Sequence, residues 1–192
     1  MSEKIDNILK FLHEAELLKS ITRHVWTSKG RHESVAEHFW RMAVFAMALE
    51  NEFPNLDMKK VLEMCLIHDF GEAYEGDYPS FKKQPENKLE IEEKAVRKII
   101  ASLPEKLQEK FMSLWKEYNE CKTEEAKLVK ALDKLEVIIE KNEADISTWT
   151  PEEFTHNLIH GQKYMKFNDF IKEFRMVVDE QTREKISKYK QK

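Results

Sequence analysis

Four glycines in 192 residues leave this chain few places to turn sharply. Glycine supplies the left-handed backbone of tight hairpins and phosphate-cradling loops. With only five prolines besides, hairpin turns and Gly-rich loops are nearly excluded, and helices are the remaining way to compact the chain. The apolar spacing agrees. Ile5, Ile8, Leu9, Phe11, Leu12, Ala15 and Leu18 recur at helical intervals and predict the apolar face of a first helix. ITRHVWTSKGRHE lacks periodicity and carries Gly30, which predicts a loop. Ser34 and Glu37 in SVAE form a capping box for a second helix running to about Asn51. Its body, VAEHFWRMAVFAMALE, is apolar nearly all round and predicts a central, buried element.

Asp57 caps a third helix, MKKVLEMCLIHDF, which Gly71 ends. In the loop EAYEGDYPSFKKQP, Pro79 and Pro85 block helix continuation. Further helices are expected over 87–103, 104–119, 123–144 and 169–189, with another start at Thr150-Pro151-Glu152-Glu153. No repeat or linker interrupts the chain, so residues 1–192 predict a single all-α domain. Hydrophobic residues at 41% against 35% charged fit a globular protein with a charged surface. A net charge of -4 argues against nucleic acid as a partner. No apolar run reaches membrane-spanning length, and MSEKIDNILKFLHEAE is too acidic for a targeting peptide. Cys65 and Cys121 make no disulfide framework or CxxC motif. A cytoplasmic protein is the expectation.

CLIHDFGEAYEGD, residues 65–77, sets a histidine and an aspartate at the end of an apolar run, where unpaired polar groups are expensive. In LVKALDKLEVIIE the main apolar stripe is Leu128, Ala131, Leu132, Leu135, Ile138 and Ile139. Asp133 sits in a second apolar strip with Ala126, Val129 and Val137. A carboxylate among valines needs a partner, which a buried base or a metal ion would supply. His38 opens the second helix and, taken alone, fits a capping or core histidine; Glu37 is explained by the capping box. Together His38, His68, Asp69 and Asp133 make a mixed nitrogen and oxygen set suited to manganese, cobalt, iron or zinc.

The pattern H…HD…D, with RHESVAEH, IHDFGEAYEGDYP and ALDKLE around it, resembles the HD-domain superfamily of metal-dependent phosphohydrolases, specifically the YfbR-like 5'-deoxynucleotidase branch. The resemblance runs from the first helix to about Glu143. It implies an all-α bundle around one divalent ion (manganese, cobalt, iron, zinc or magnesium). The metal core would span about 34–140, with the C-terminal helices of 150–190 packed on it. His38, His68, Asp69 and Asp133 are then the metal ligands, and Glu72 and Asp77 the catalytic acids. Arg23 matches the family's substrate-binding arginine, with Arg31 and Lys83 as further cationic candidates.

The implied activity is removal of phosphate from nucleoside 5'-monophosphates by attack of a metal-bound water, with 2'-deoxyribonucleotides as the expected substrates and a homodimer as the expected assembly. Alternatives are a non-catalytic nucleotide-binding module or an HD hydrolase of another phosphate ester. One departure stands out. The bacterial branch places a tryptophan directly after the arginine to exclude a ribose hydroxyl; here His24 follows Arg23, which leaves either Trp26, two positions later, as the substitute or a relaxed sugar selectivity.

Other features invite blander readings. HNLIH, His156 to His160, lacks the glutamate of HExxH and reads as a solvated pair. His13 fits an exposed helix face, and Lys134 a group beside Asp133. Met42, Met47, Met58 and Met64 look like core fillers.

Overall fold

The computed structural model describes residues 2–191. Eight α-helices carry the chain among these residues: α1 Glu3–Glu16, α2 Val35–Ala48, α3 Met58–Cys65, α4 Lys88–Ile100, α5 Glu105–Glu120, α6 Glu124–Glu143, α7 Glu153–Ile159 and α8 Asp169–Lys190. Their starts follow side-chain chemistry. Ser34 Oγ accepts from the Glu37 amide at 3.3 Å, and the Glu37 carboxylate accepts from the Ser34 amide at 2.9 Å, which completes the capping box. Asp57, Thr123 and Asn168 cap α3, α6 and α8 in the simpler one-way manner.

The element at the centre is α6. Twelve of its twenty residues are buried, and it packs on α2, α3, α5 and α8. Both predicted stripes are present: Leu128, Leu132, Leu135 and Ile138 on one, Ala126, Val129 and Val137 on the other. The all-round apolar composition of α2 had pointed to α2 instead. Its inner face, Val35, Phe39, Met42 and Ala46, is buried, but Trp40 is 65% exposed and Met47 62%. Met42 and Met64 are core residues, Met58 is half-buried, and Met47 is not a core residue. On α1 no residue is buried, with Leu9 and Leu12 exposed; only Phe11 reaches the interior, edge-on to Phe111 at 5.7 Å.

The predicted loop at 21–33 is a hairpin. Strands β1 Thr22–Trp26 and β2 His32–Ser34 pair antiparallel with an irregular register, Thr22 opposite Ser34 and Trp26 opposite His32. Gly30 closes its turn at φ +79°, so one glycine suffices where composition had argued against hairpins. The alternation of β1 turns Arg23 and Val25 inward.

Helix α3 stops at Cys65, not at Gly71. His68 and Asp69 follow in tight turns, and a 3-10 helix spans Phe70–Ala73. Gly71 does not adopt the left-handed conformation of a helix stop. Its role is proximity: a Cβ there would lie 2.9 Å from Glu92 Cα and 2.7 Å from Glu92 Cγ, so bare backbone is what lets this turn rest on α4.

Candidate active site

Three segments bring four side chains together. The first turn of α2 supplies His38, fully buried. The turn after α3 supplies His68 and Asp69, and the middle of α6 supplies Asp133. His38, His68 and Asp69 each offer a ligand atom within 4.8 Å of the others. Asp133 Oδ1 stands 3.6 Å from His38 Nε2, and Asp69 Oδ2 stands 3.0 Å from His68 Nε2.

Each imidazole is oriented through its other nitrogen. His38 Nδ1 bonds Glu136 at 2.7 Å, and His68 Nδ1 donates to the Cys65 carbonyl at 3.0 Å. Both Nε2 atoms are buried without a hydrogen-bond partner among the described residues. Two oriented imidazoles presenting unused nitrogens to two carboxylates fit a divalent ion, with Glu136 and the Cys65 carbonyl fixing ring geometry from behind. Tyr118 donates to Asp133 Oδ2 at 2.7 Å and Lys134 pairs with the same oxygen at 2.8 Å, so Oδ1 is the oxygen left for an ion. These neighbours, Lys134 first and the histidines after it, outweigh burial and hold the Asp133 carboxyl well below the usual range.

A cavity of about 250 Å³ opens on His68, Asp69 and Asp133, with His38 buried behind them. Its lining includes Arg23, His24, Glu72, Asp77, Lys88 and Lys130. Glu72 and Asp77 therefore share the cavity with the ligands, but in different states. Burial, then the charges of Asp69 and Asp77, push Glu72 well above a normal carboxyl. Burial acts the same way on Asp77, yet His24 and Arg23 outweigh it and lower the pKa. Neighbouring acids driven apart in this way are suited to separate proton-carrying and anionic roles. Arg23 is buried, 3.2 Å from Glu33 and 3.7 Å from Asp69. Burial opposes its charge, but Asp77, Glu33, Glu136 and Glu72 together hold the guanidinium above its ordinary pKa.

Two of the predicted cations lie elsewhere. Arg31 is exposed and grips Glu37 at the α2 cap, because the hairpin turn that carries it points to solvent. Lys83 is exposed and does not line the cavity; Lys88, the first residue of α4, takes that wall instead. Trp26 is no substitute beside Arg23, since it packs on His32 across the hairpin at 4.0 Å. The residue that lines the cavity is His24, with Nδ1 3.7 Å from Asp77 and Nε2 3.2 Å from Glu153. Glu153 is held in turn by Lys141 at 2.5 Å.

His156 and His160 are not a solvated pair. Both are half-buried, and Ser80 Oγ lies 3.0 Å from His156 Nε2 and 3.2 Å from His160 Nδ1, which ties the 77–85 loop to α7. His160 lines the cavity, and burial pushes its pKa down to about 3. Sequence reasoning also missed Glu33, Glu136 and Glu140. The last two follow Asp133 at +3 and +7, on the same helix face, which was the available signal.

The HD domain family profile matches residues 15–175, and the chain belongs to that family. Among individual relatives, it is 35% identical over 148 residues to the 5'-deoxynucleotidase HDDC2 of Dictyostelium discoideum, covering 72% of this chain and 78% of that protein. The 5'-deoxynucleotidase HDDC2 of Homo sapiens is 36% identical over 140 residues, covering 71% and 68%. A solved structure of a predicted metal-dependent phosphohydrolase from Magnetospirillum magnetotacticum MS-1 superposes with a TM-score of 0.76 at 26% identity, covering 94% of each chain. The all-α expectation and the family resemblance both hold. No described helix is long and apolar enough to cross a membrane.

Proposed function

We propose that this chain is a metal-dependent phosphohydrolase that removes phosphate from nucleoside 5'-monophosphates, with 2'-deoxyribonucleotides as its preferred class. The observation that carries this reading is the pair of oriented, unsatisfied imidazole nitrogens beside Asp69 and Asp133, at the base of a cavity that His68, Asp69 and Asp133 line together with Glu72, Asp77 and Arg23. The names of the HDDC2 relatives support the substrate class. His38, His68, Asp69 and Asp133 would hold one divalent ion, which when bound supplies Lewis acidity toward water and a phosphoryl oxygen.

The remaining steps belong to the chain's own side chains. Arg23 takes phosphate oxygens through its planar fork. Glu72, whose carboxyl is pushed toward its protonated form by burial and then by Asp69 and Asp77, donates a proton to the departing 5'-oxygen. Asp77, anionic and fixed by His24, orients water or substrate. His24 and His160 border the same space and are placed to meet the nucleoside. A non-catalytic nucleotide-binding site has no use for a second pair of acids whose surroundings shift them in opposite directions.

A homodimer belongs to the same reading, supported by the exposed stripe Trp40, Val44 and Met47 at helical spacing on α2. So does a cytoplasmic location, supported by two free cysteines. The test is phosphate release from ribo- and deoxyribonucleoside monophosphates with several divalent ions. Deoxy substrates should be turned over fastest, and no release from any nucleotide by metal-loaded protein would end the proposal.

A further inference from the structure

Four basic side chains other than histidine line the cavity: Arg23, Lys88, Lys130 and Lys134. Three stand within ion-pair distance of a carboxylate. Arg23 has Glu33 and Asp69, Lys88 has Glu92 at 3.3 Å, and Lys134 has Asp133 at 2.8 Å. Lys130 has no such partner among the described residues. Its ammonium rests 3.5 Å from the centre of the Tyr118 ring. An aromatic face is a weaker counterweight than a carboxylate for a half-buried charge, and burial holds Lys130 down at about 8.

The placement follows from the helices. Lys130 precedes Asp133 by three residues on α6, so both side chains leave the same face. Tyr118, from α5, fills the space beside them: its hydroxyl donates to Asp133, and its ring meets the His68 imidazole edge-on at 5.0 Å. A single ring therefore links this ammonium to two of the four candidate ligands. A cation without a carboxylate, held on an aromatic shelf at the edge of a metal cradle, is poised for an anion that arrives from outside.

We propose that Lys130 is a phosphate-binding residue, whose ammonium takes a non-bridging oxygen of a phosphomonoester while Arg23 grips the group from the hairpin side. This rests on the phosphohydrolase reading and deepens it. The competing role is that of a fixed counter-charge to Asp69 and Asp133, which predicts a change in metal affinity and none in phosphate affinity.

Calorimetric titration of manganese-loaded protein with inorganic phosphate separates the two. Losing a charge-assisted hydrogen bond should weaken phosphate binding in Lys130→Met by about tenfold or more. Lys130→Arg should restore most of it, and a separate manganese titration should show unchanged metal affinity. Lys130→Gln serves if the methionine variant does not fold. Phosphate affinity equal to wild type in both neutral variants, or lost only in step with the metal, overturns the inference. If wild type cleaves nucleotides while phosphate binding ignores Lys130, this inference alone falls. If phosphate binding depends on Lys130 but no nucleotide is cleaved, the anion site stands and the nucleotidase reading falls.

Discussion

Gly71→Ala tests whether the turn that carries Asp69 and Glu72 is positioned by its contact with α4. The added methyl would lie 2.9 Å from Glu92 Cα, and nearer still to its Cβ. Carbon atoms prefer about 3.5–4.0 Å, so the turn and the helix must separate. Rotating the Glu92 side chain gives no relief, because its Cα and Cβ do not move with χ1. Overpacking of this kind costs about 1–3 kcal/mol. For a chain of this length each kcal/mol lowers the melting temperature by about 2–4 °C, giving a fall of roughly 2–12 °C.

Activity should fall further than stability. Asp69 and Glu72 lie two residues before and one after the glycine, and displacement of a reacting group by ~1 Å costs on the order of a hundredfold. Scanning calorimetry and phosphate release on the same preparations give both readouts. Gly30→Ala is the control, strained at φ +79° but with open space around it and away from the cavity. A Gly71→Ala protein with wild-type melting temperature and turnover would refute the assigned role of this contact.

Other expectations follow from individual contacts. Glu136→Gln leaves His38 without its anionic partner and should weaken metal binding by about 10–100-fold in a competition titration, with little change in the circular dichroism spectrum. Glu72→Gln should lower kcat by about 10²–10⁴-fold while inorganic phosphate still binds; loss of phosphate binding instead would assign Glu72 to the cradle. Burial, then Glu136 and Glu33, push Glu140 up to about 9, above its unfolded value. An acid shifted this way contributes stability that is full below about pH 4 and lost progressively as pH rises toward 9. Wild type should therefore lose melting temperature between pH 6 and pH 9, and Glu140→Gln should flatten that slope; parallel slopes would count against the buried acid. Trp40→Asp should convert a dimer to monomer in light scattering, and a dimer unaffected by it would place the interface elsewhere.

The sequence carried the helices because their signals are local. Capping at Ser34, Asp57 and Thr123 and the double stripe of α6 each depend on residues a few positions apart. The site was legible for a related reason: an aspartate between valines and a histidine-aspartate pair ending an apolar run announce themselves without tertiary knowledge. What stayed hidden was long-range. The burial of Glu136 depends on His38, 98 positions away, and the inward turn of His160 depends on Ser80. Nothing near Arg31 or Lys83 distinguishes a solvated cation from one that lines a cleft. Low glycine content misjudged the hairpin because composition counts turns, while one well-placed Gly30 makes one. Gly71 misled in the other direction, since a helix stop and a close backbone approach are written with the same letter.

The tie between Ser80 and the α7 histidines, together with the link from His24 through Glu153 to Lys141, has a consequence for how such a cavity diversifies. The hearth, where bonds break, is built from α2, the turns that follow α3, and α6, whereas the far wall that greets the guest borrows from residues 153–160. Rewriting that short stretch, with Glu153 kept to hold His24, would reshape which molecule is welcomed while leaving the four candidate metal ligands in place.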